Sequence, residues 1–391
     1  MYKAYSFLIG YDHLDSLLLE TASEAEKAAF LHKHKDTFVF TVLSYDLKNK
    51  FEVSLHSKNP NYVQADGSYW IVFKNVIAAD SNKVQLKSDE LAADDFLKSL
   101  LQTPVVSPEW NSGTWVDFKF KHRTEKATYL ADVKAIQEAI RCGSVYELNY
   151  CQEFYAENVQ LDMRQLYNKM KAVNPAPFSV CLQWEGKCML GASPERFLAK
   201  RGSKLIAQPI KGTRRRLADE VADKLQREAL QHDIKERAEN VMIVDLMRND
   251  LARCCQTGTV KVEELFGIYS FATVHQMIST VVGTLREGIR LDEILQNTFP
   301  MGSMTGTPKV ESMKLIEQFE KVRRAWFSGS IGYIAPNGDF DLNVVIRTLI
   351  YNSKTGYLSL QTGGAITIDS VPEQEYEESL LKAEAWVKLL S

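Results

Sequence analysis

Alternating hydrophobic and polar positions in the first part of the chain predict β-strands. Residues 1 to about 115 contain the β-rich runs SFLIGY, TFVFTVLSYDL and SYWIVFKNVIAA, separated by polar loops. The segment TPVVSPEWNSG then gathers proline, serine and glycine, which is typical of a connection between domains. We therefore expect a short N-terminal region at 1–115 that packs on a larger domain at 120–391.

A hydrophobic period near 3.6 residues predicts helices beyond that boundary. The first, TEKATYLADVKAIQEAIRCG, opens at Thr124 and closes at Gly143. A longer helix is predicted from about Ala218 to Arg253. Its apolar face would carry Ile234, Ala238, Val241, Met242 and Leu246. Further helices fit LDEILQNTF, PKVESMKLIEQFE and EQEYEESLLKAEAWVKLL.

The remaining β-rich runs occur in neighbouring groups that short turns connect. They are VYELNYCQEFYA, the three runs of FSVCLQWEGKCMLGASPERFLAKRGSKLIAQPI, and GSIGYIA, FDLNVVIRTLIY and GYLSLQTGGAITI. Strands in neighbouring groups favour antiparallel pairing over a repeating βαβ arrangement. The pattern therefore predicts an α+β fold in which helices pack outside antiparallel sheets.

Composition narrows the class of protein. The 391 residues are 45% hydrophobic and 25% charged, which is ordinary for a globular protein with a sizeable core. The net charge of -3 provides no overall basic field, so we expect neither nucleic acid nor a membrane surface as partner. No apolar run approaches the roughly 18 residues of a membrane span, and the amino terminus lacks a signal-peptide core, so we expect a cytoplasmic protein.

The six cysteines show no Cys-x-x-Cys spacing. We expect reduced thiols rather than a disulfide or zinc framework. The run GKCMLG also lacks the spacing and the following histidine of a glutamine-hydrolysing site. The chain should therefore obtain any ammonia from another protein.

Two pairs of glutamates are candidate metal ligands. Glu236 and Glu239, and likewise Glu375 and Glu378, are three positions apart, which places both carboxylates of a pair on one side of a helix. Such pairs are usually surface charges. The apolar run that follows Glu239 favours a buried helix, however, and ligands that offer only oxygen favour Mg²⁺.

The segment FPMGSMTGTPK, at 299–309, resembles a phosphate loop only superficially. It lacks the Gly-Lys-Ser/Thr sequence, and Pro308 precedes its lysine. Pro308 fits the first position of a helix whose free N–H groups favour a carboxylate ligand over a nucleotide. Arg347, in a β-rich apolar run, also needs a carboxylate partner. His275 could be either a core residue or a catalytic one.

Lys211 lies in the unusual stretch AQPIKGTRRR. It could be a solvated loop charge or an amine held against a substrate. A catalytic amine would have to be neutral, and an unperturbed lysine with a pKa near 10.4 is neutral in only about one molecule in a thousand near pH 7.4. A magnesium ion, an apolar pocket or the charges of Arg214 to Arg216 could each lower that pKa.

Taken together, these residues resemble the chorismate-binding family, which includes enzymes that form anthranilate, aminodeoxychorismate, isochorismate and salicylate. The resemblance rests on eight stretches in family order from about residue 124 to the end: SPERFL, PIKGTRRR, KERAENVMIVDLMRNDL, ATVHQMISTVVG, FPMGSMTGTPK, GSIGYI, NVVIRT and DSVPEQEYEES. It implies antiparallel sheets packed face to face as in anthranilate synthase, with the site between them.

The resemblance also implies roles for individual residues. Glu239 and Glu378 would bind Mg²⁺, with Glu236 and Glu375 nearby. The groups that contact chorismate and its two carboxylates would be Gly212, Thr213, Ser303, Tyr333, Arg347, Gly363, Gly364, Ala365 and Lys382. Glu195 would be the acid that assists loss of the ring hydroxyl, and His275 would match the family's active-site histidine.

Lys211 matches the position of a nucleophile in the aminodeoxychorismate-forming members of the family. The implied reaction is amination of chorismate at ring carbon four, through a covalent bond to Lys211, with ammonia from a glutamine amidotransferase partner. The product, 4-amino-4-deoxychorismate, leads to p-aminobenzoate and folate. Alternatives are component I of anthranilate synthase or a non-catalytic subunit that recruits the amidotransferase. Glu147 stands where related aminating enzymes often have glutamine and isochorismate-forming ones have lysine, which disfavours water as nucleophile.

Overall fold

The structure, a computed structural model, describes residue 5 and residues 7–79, 84–88, 118–173 and 175–390. The strands are β1 (Phe7–Leu18), β2 (Val39–Leu43), β3 (Tyr69–Ala79), β4 (Val84–Ser88), β5 (Lys121–His122), β6 (Glu147–Ala156), β7 (Phe178–Trp184), β8 (Lys187–Ser193), β9 (Arg196–Arg201), β10 (Lys204–Gln208), β11 (Ile210–Arg215), β12 (Lys261–Ser270), β13 (Val274–Thr284), β14 (Gly306–Thr307), β15 (Ser330–Ile334), β16 (Phe340–Asn343), β17 (Thr348–Asn352) and β18 (Tyr357–Ile366). The α-helices are α1 (Glu24–Lys33), α2 (Lys48–Phe51), α3 (Lys126–Arg141), α4 (Met163–Val173), α5 (Glu220–His232), α6 (Ile234–Ala252), α7 (Leu291–Thr298), α8 (Lys309–Phe319) and α9 (Pro372–Leu390). Among the described residues, no helix is long and apolar enough to cross a bilayer.

The larger sheet contains eleven strands, and it combines N-terminal strands with strands from the middle and later parts of the chain. Its main order is β1-β3-β2-β15-β16-β9-β10-β13-β11, with β4 paired to β3 and β12 paired to β13, and neighbouring strands are antiparallel. The N-terminal strand β2 pairs with β15, with Thr41 opposite Gly332. Residues 7–79 therefore contribute strands to this sheet. The predicted boundary at 103–113 lies outside the described residues.

The smaller sheet contains seven strands and packs against the larger one. Its order is β14-β6-β18-β17-β8-β7, with β5 paired to β6. One core cluster joins Val42 and Leu198 of the larger sheet, Met189 and Ile350 of the smaller sheet, and Ile243 of α6. Helices α3, α4 and α9 cover the smaller sheet through two further apolar clusters. The predicted α+β fold, with antiparallel sheets face to face and helices outside, is confirmed.

The single helix predicted from Ala218 to Arg253 is wrong, because the chain forms two helices there. Asp233 interrupts the helix with an extended conformation, and its side chain caps α6 by accepting a hydrogen bond from the Glu236 N–H at 3.1 Å. The predicted apolar face is also displaced, since Ile234 is 87% exposed and Val241 is 45% exposed. The buried face of α6 instead carries Asn240, Ile243, Val244, Leu246, Met247, Asp250 and Leu251.

Candidate active site

Lys211 lies where the edge of the larger sheet becomes irregular. Strands β10 and β11 follow one another along β13, but the register shifts between Ile210 and Thr213. Gly212 occupies this bulge with a φ of 87°, which favours glycine. A bulge redirects the neighbouring side chain, and the side chain of Lys211 is only 13% exposed. The reading of Lys211 as a solvated loop charge is therefore wrong.

Carboxylates surround the Lys211 amine. Its Nζ atom is 3.8 Å from Glu147 Oε1 and 3.8 Å from Glu239 Oε2. Burial lowers the pKa of Lys211, but the charges of Glu147, Glu239, Glu195 and Glu236 outweigh that effect and raise the pKa above its ordinary value. Without further positive charge in the pocket, this amine is protonated.

Two of the three arginines at 214–216 form ion pairs with aspartates rather than with the groups around Lys211. Arg214 forms an ion pair with Asp233 at 2.8 Å, and Arg216 forms one with Asp223 at 2.7 Å. The side chains next to Lys211 are acidic and raise its pKa. The suggestion that Arg214 to Arg216 lower the pKa of Lys211 is therefore not supported by this arrangement.

Glu195 is a buried carboxyl group on the connection between β8 and β9. It is 5% exposed, and burial raises its pKa to about 7, although a hydrogen bond with Ser303 and the charge of Lys211 act in the opposite direction. A carboxyl group with this pKa carries a proton in a large fraction of molecules at neutral pH. Glu195 therefore has the property required of a general acid.

Arg347 provides a positive charge near Glu195. It has a φ of 49°, which is uncommon for a residue other than glycine. Burial lowers the pKa of its guanidinium group, while the charge of Glu195 opposes that effect. Within the described ranges its side chain forms no hydrogen bond or ion pair at contact distance. A partly buried guanidinium group of this kind is well suited to bind a carboxylate in bidentate fashion.

The two predicted glutamate pairs converge from two different helices. Glu236 and Glu239 lie in the first turns of α6, and Glu375 and Glu378 lie in the first turns of α9. Burial and then the charge of a neighbouring glutamate raise the pKa of Glu236, whose neighbours include Glu239 and Glu378. Burial likewise raises the pKa of Glu375, and Glu378 adds to this effect. The structure thus brings all four carboxylates into one group.

This donor set fits a magnesium ion that binds in an open site. All four groups offer oxygen, and mutual repulsion among carboxylates is relieved by a divalent cation. In the part of the chain that the structure describes, no three acidic, histidine or cysteine side chains are close enough to enclose a metal. Substrate oxygen atoms and water would supply the remaining ligands, as is common for magnesium.

The backbone of β18 forms a further wall beside these carboxylates. A Cβ atom on Gly363 would lie 2.0 Å from the carbonyl oxygen of Tyr150, so only glycine fits there. A Cβ atom on Gly364 would lie 3.2 Å from Glu375 Oε2. The Lys382 amine donates to the Gly363 carbonyl oxygen at 2.7 Å and pairs with Glu378 at 2.7 Å. Ala365 continues this strand, opposite Asn149 of β6.

The structure does not bring His275 into contact with these groups. One ring nitrogen of His275 is 2.8 Å from Ser270 Oγ, and the other is 3.0 Å from Asp223 Oδ1. The ring is buried and both of its nitrogens are occupied, as in a core histidine. No described contact links His275 to Lys211 or Glu195, so its catalytic role stays a prediction.

Tyr333 and Thr213 also have no described contact with Lys211 or the glutamates around it. Tyr333 pairs across the sheet with Asp341, and its ring packs on those of Tyr5 and Phe38. Directly opposite residues share a sheet face, and no described contact links this face to Lys211. Thr213 is exposed. Roles for Tyr333 and Thr213 in substrate binding stay predictions.

Two further residues lie near the carboxylates, and no sequence pattern predicts that they do. Lys235 Nζ lies 3.8 Å from Glu239 Oε1, and its charge also acts on Glu375 and Glu378. Asn240 is fully buried and accepts a hydrogen bond from Ser279 at 2.6 Å, and its Nδ2 has no partner among the described residues. The residue type at either position is common on helices, and only the packing of α6 shows their location.

Comparisons with known proteins identify the family. The family model described as chorismate binding enzyme matches residues 6–388. Component 1 of aminodeoxychorismate synthase from Escherichia coli is 37% identical over 293 residues, which are 75% of this chain and 64% of that protein. Component 1 of anthranilate synthase from Bacillus subtilis is 38% identical over 266 residues, which are 68% of this chain and 51% of that protein. The chain thus spans between half and two thirds of the length of these relatives.

Solved structures show the same fold. Component I of anthranilate synthase from Streptococcus pneumoniae superposes with a TM-score of 0.83 and 23% identity, over 100% of this chain and 93% of that chain. The menaquinone-specific isochorismate synthase from Escherichia coli superposes with a TM-score of 0.77 and 18% identity, over 98% of this chain and 86% of that chain. At these identities the likeness concerns the fold alone.

Proposed function

Because the chain belongs to the chorismate-binding enzyme family, we propose that it aminates chorismate at ring carbon four to give 4-amino-4-deoxychorismate. Relatives named for this reaction and relatives named for anthranilate formation have similar identities to the chain, so identity alone does not separate the two. The observation that carries the proposal is the position of Lys211. Its side chain is 13% exposed, and its amine lies between the carboxylates of Glu147 and Glu239.

In the first proposed step, the Lys211 amine, having lost its proton to solvent, attacks carbon two of the ring. The bond from nitrogen to carbon two forms, both ring double bonds shift by one position, and the bond from carbon four to its hydroxyl oxygen breaks. Glu195 gives its proton to the departing hydroxyl group, which leaves as water. The pKa of about 7 makes Glu195 suited to this transfer at neutral pH.

In the second proposed step, ammonia forms a bond to carbon four, both ring double bonds shift back, and the bond between carbon two and Lys211 breaks. The lysine amine is recovered, and the pyruvate group stays attached to the ring. Arg347 would hold a substrate carboxylate throughout, because its partly buried guanidinium group has no other contact partner among the described residues.

The four clustered glutamates would hold a magnesium ion, with Glu239 and Glu378 as direct ligands. Bound Mg²⁺ would supply positive charge that offsets the carboxylates around Lys211 and would orient oxygen atoms of the substrate. The protein's own contribution would be the two glutamates in the first turns of each of α6 and α9.

We further propose a glutamine amidotransferase partner as the source of ammonia. Several relatives are named as component 1 of a synthase, which supports a second component. The test below uses free ammonium and therefore does not depend on that partner.

The direct test is incubation of the purified chain with chorismate, MgCl₂ and ammonium chloride, with chromatographic identification of the product. We expect 4-amino-4-deoxychorismate. Anthranilate with release of pyruvate would instead assign the chain to anthranilate formation, which the similarity to the Bacillus subtilis enzyme keeps as the second candidate. Absence of turnover with metal and ammonium would indicate a binding subunit.

The covalent step has its own test. After exposure to chorismate without ammonium, intact-mass analysis should show an adduct of chorismate less one water, located on residue 211. Lys211→Ala should form no adduct and should lose activity by about a thousandfold or more. Lys235→Ala is the matched control, since it removes an exposed amine near the same Glu239 and should retain the adduct.

A further inference from the structure

Two side chains complete part of one edge of β6. Strand β14 pairs with the first two residues of β6, and β5 pairs with residues near its other end. Between these points, the Cys151 N–H donates to Glu320 Oε1 at 2.9 Å, and Arg324 Nη2 donates to the Asn149 carbonyl oxygen at 2.7 Å. Buried backbone groups need such partners. Glu320 and Arg324 therefore do here what the backbone of a neighbouring strand does elsewhere in the sheet.

The guanidinium group of Arg324 uses all five of its N–H groups. Nε and Nη2 donate to the two carboxylate oxygens of Glu320 at 2.9 and 2.6 Å, and Nη2 also donates to Asn149. Nη1 donates to the Met304 carbonyl oxygen and, at 3.3 Å, to Ser328 Oγ. A planar group that is bonded at every donor holds a single orientation.

Stability alone does not account for this ion pair. Arg324 is 2% exposed and Glu320 is 4% exposed, and the guanidinium carbon lies 4.8 Å from the centre of the Tyr45 ring. Taking two charges out of water costs about as much as their attraction returns, and apolar side chains often stabilise a core equally well. Apolar side chains, however, cannot bind two carbonyl oxygens from different segments. Arg324 binds one from β6 and one from the turn at Gly302–Met304.

The turn at Gly302–Met304 carries a residue of the candidate active site. The Ser303 side chain forms a hydrogen bond with Glu195. The Asn149 side-chain amide donates to the Ser303 carbonyl oxygen at 3.4 Å, and Arg324 binds the carbonyl oxygen of the next residue. The location of Ser303 thus depends on contacts that Arg324 completes.

We propose that Arg324, oriented by Glu320, is a positioning residue that holds this turn against β6 and so keeps the Ser303 hydroxyl at Glu195. This inference rests on the proposed function, because Glu195 acts there as the acid. It also gives the N-terminal region a part in the site, since Tyr45 covers the guanidinium group.

The variant that tests this role is Arg324→Lys. Lysine keeps a positive charge opposite Glu320, but its three donors radiate from one atom and do not form a planar fork. It should not reach the turn and β6 together, so the hydrogen bond between Ser303 and Glu195 should weaken. That hydrogen bond lowers the pKa of Glu195, which is about 7 in the wild type. Its loss should raise this pKa by about half a unit or more, which is the effect of one hydrogen bond.

Carbon-13 NMR of the glutamate carboxyl groups in the metal-free chain measures this pKa directly. The Glu195 signal is identified by its absence in Glu195→Gln. The other groups that face Glu195 are the charges of Lys211 and Arg347 and the N–H of Ile210, and Arg324→Lys replaces none of them. With chorismate, magnesium and ammonium present, the alkaline limb of the pH–rate profile should move in the same direction. Formation of anthranilate would reject amination at carbon four, while the NMR measurement would still decide the positioning role.

Arg123→Lys is the matched control. Arg123 pairs with Glu153 of the same strand at 3.1 Å and also donates to Tyr357 at 2.6 Å. It has no described contact with the turn at Gly302–Met304. This variant should lower the melting temperature and leave the pKa of Glu195 unchanged. Equal shifts of that pKa in both lysine variants would show a general loss of stability and overturn the proposal.

A double variant tests whether Arg324 acts through Ser303. Ser303→Ala combined with Arg324→Lys should shift the pKa of Glu195 no further than Ser303→Ala alone, because both changes remove one hydrogen bond. Glu320→Gln is a second variant should Arg324→Lys fold poorly. It keeps an oxygen for the Cys151 N–H but removes the charge that orients Arg324, so it should give a smaller shift in the same direction. Additive shifts in the double variant, or an unmoved pKa in the folded single variants, would overturn the positioning role.

Discussion

At the scale of single residues, the charged neighbours of Lys211 in sequence are positive, whereas its charged neighbours in the fold are negative. Three arginines begin three residues after it, yet each of the two that form ion pairs does so with an aspartate, Asp233 or Asp223. The residues that determine its pKa, such as Glu147 and Glu239, come from other elements. The sequence identifies the lysine but does not show that the side chains around it are negatively charged.

Glu195 yields a prediction about pH and stability. Its folded pKa of about 7 exceeds the ordinary value of 4.5, so the folded chain binds more protons than the unfolded chain between these values. The free energy of unfolding should therefore decrease as pH rises from about 4.5 to 7, by about 3 kcal/mol at most from this group. Denaturation of the metal-free chain at several pH values should show this slope in the wild type and its loss in Glu195→Gln.

The same group predicts the pH dependence of activity. Activity that needs protonated Glu195 should decline above about pH 7, and Glu195→Gln should lower kcat by about 10² to 10⁴. Ser303→Ala removes a hydrogen bond that lowers this pKa, so its alkaline limb should move to higher pH. An alkaline limb that stays in place in Ser303→Ala would show that another group titrates.

Gly212 yields a prediction about backbone geometry. Alanine there must adopt a φ of 87°, and its Cβ atom would lie 3.0 Å from Leu230 and 3.3 Å from Glu236. We expect Gly212→Ala to lower stability by about 1 to 3 kcal/mol and to displace Lys211. Gly202→Ala is the control, because Gly202 also has a positive φ but has open space around it. Denaturation should show a larger loss for residue 212, and only that variant should lose amination.

At the scale of elements, the hydrophobic pattern predicted the type of each secondary-structure element better than its boundaries. The period near 3.6 predicted helix throughout 218–253, and helix is present on both sides of Asp233. The interruption escaped the pattern because aspartate is common within exposed helices and becomes a cap only when the backbone turns. The exposure of Ile234 and Val241 has the same cause, because α6 begins after this interruption and its buried face is rotated from the face expected of one continuous helix. Pro308 similarly precedes α8 by one residue rather than opening it.

The cap at Asp233 gives a prediction for the metal site. Asp233→Ala removes a hydrogen bond to the first turn of α6, which carries Glu236 and Glu239, and an ion pair with Arg214. Loss of a cap costs about 1 kcal/mol. We expect a lower melting temperature and a several-fold higher magnesium requirement for activity.

Asp219→Ala is the comparison for that variant. Asp219 caps α5 through Ala222 at 2.8 Å, away from the glutamate pairs. It should lower stability similarly without altering the magnesium requirement. Equal magnesium requirements in both variants would show that the start of α6 does not position the carboxylates.

At the scale of the whole molecule, the site depends on two layers that meet. Helix α6 contacts β11 and β13 of the larger sheet, and α9 contacts β18 of the smaller one. From the sequence, only the resemblance to a family predicted that Glu239 and Glu378 lie together. The spacing within each glutamate pair gives no information on the distance between the two helices, because Glu239 and Glu378 are 139 residues apart in sequence. In the structure the charge of Glu378 on α9 acts on Glu236 of α6, so these two carboxylates are near one another.

A metal that binds both helices should therefore stabilise the contact between the layers. Under the proposed function magnesium would bind the folded chain and not the unfolded one, so MgCl₂ at 100 times its dissociation constant should add about 2.7 kcal/mol to the free energy of unfolding. Glu239→Gln and Glu378→Gln, one from each helix, should each abolish most of this gain in thermal denaturation without substrate. Glu384→Gln, at an ion pair farther along α9, is the control and should retain it. If either single variant keeps the full gain, the ion does not join the two helices, and the proposed site must lie on one layer alone.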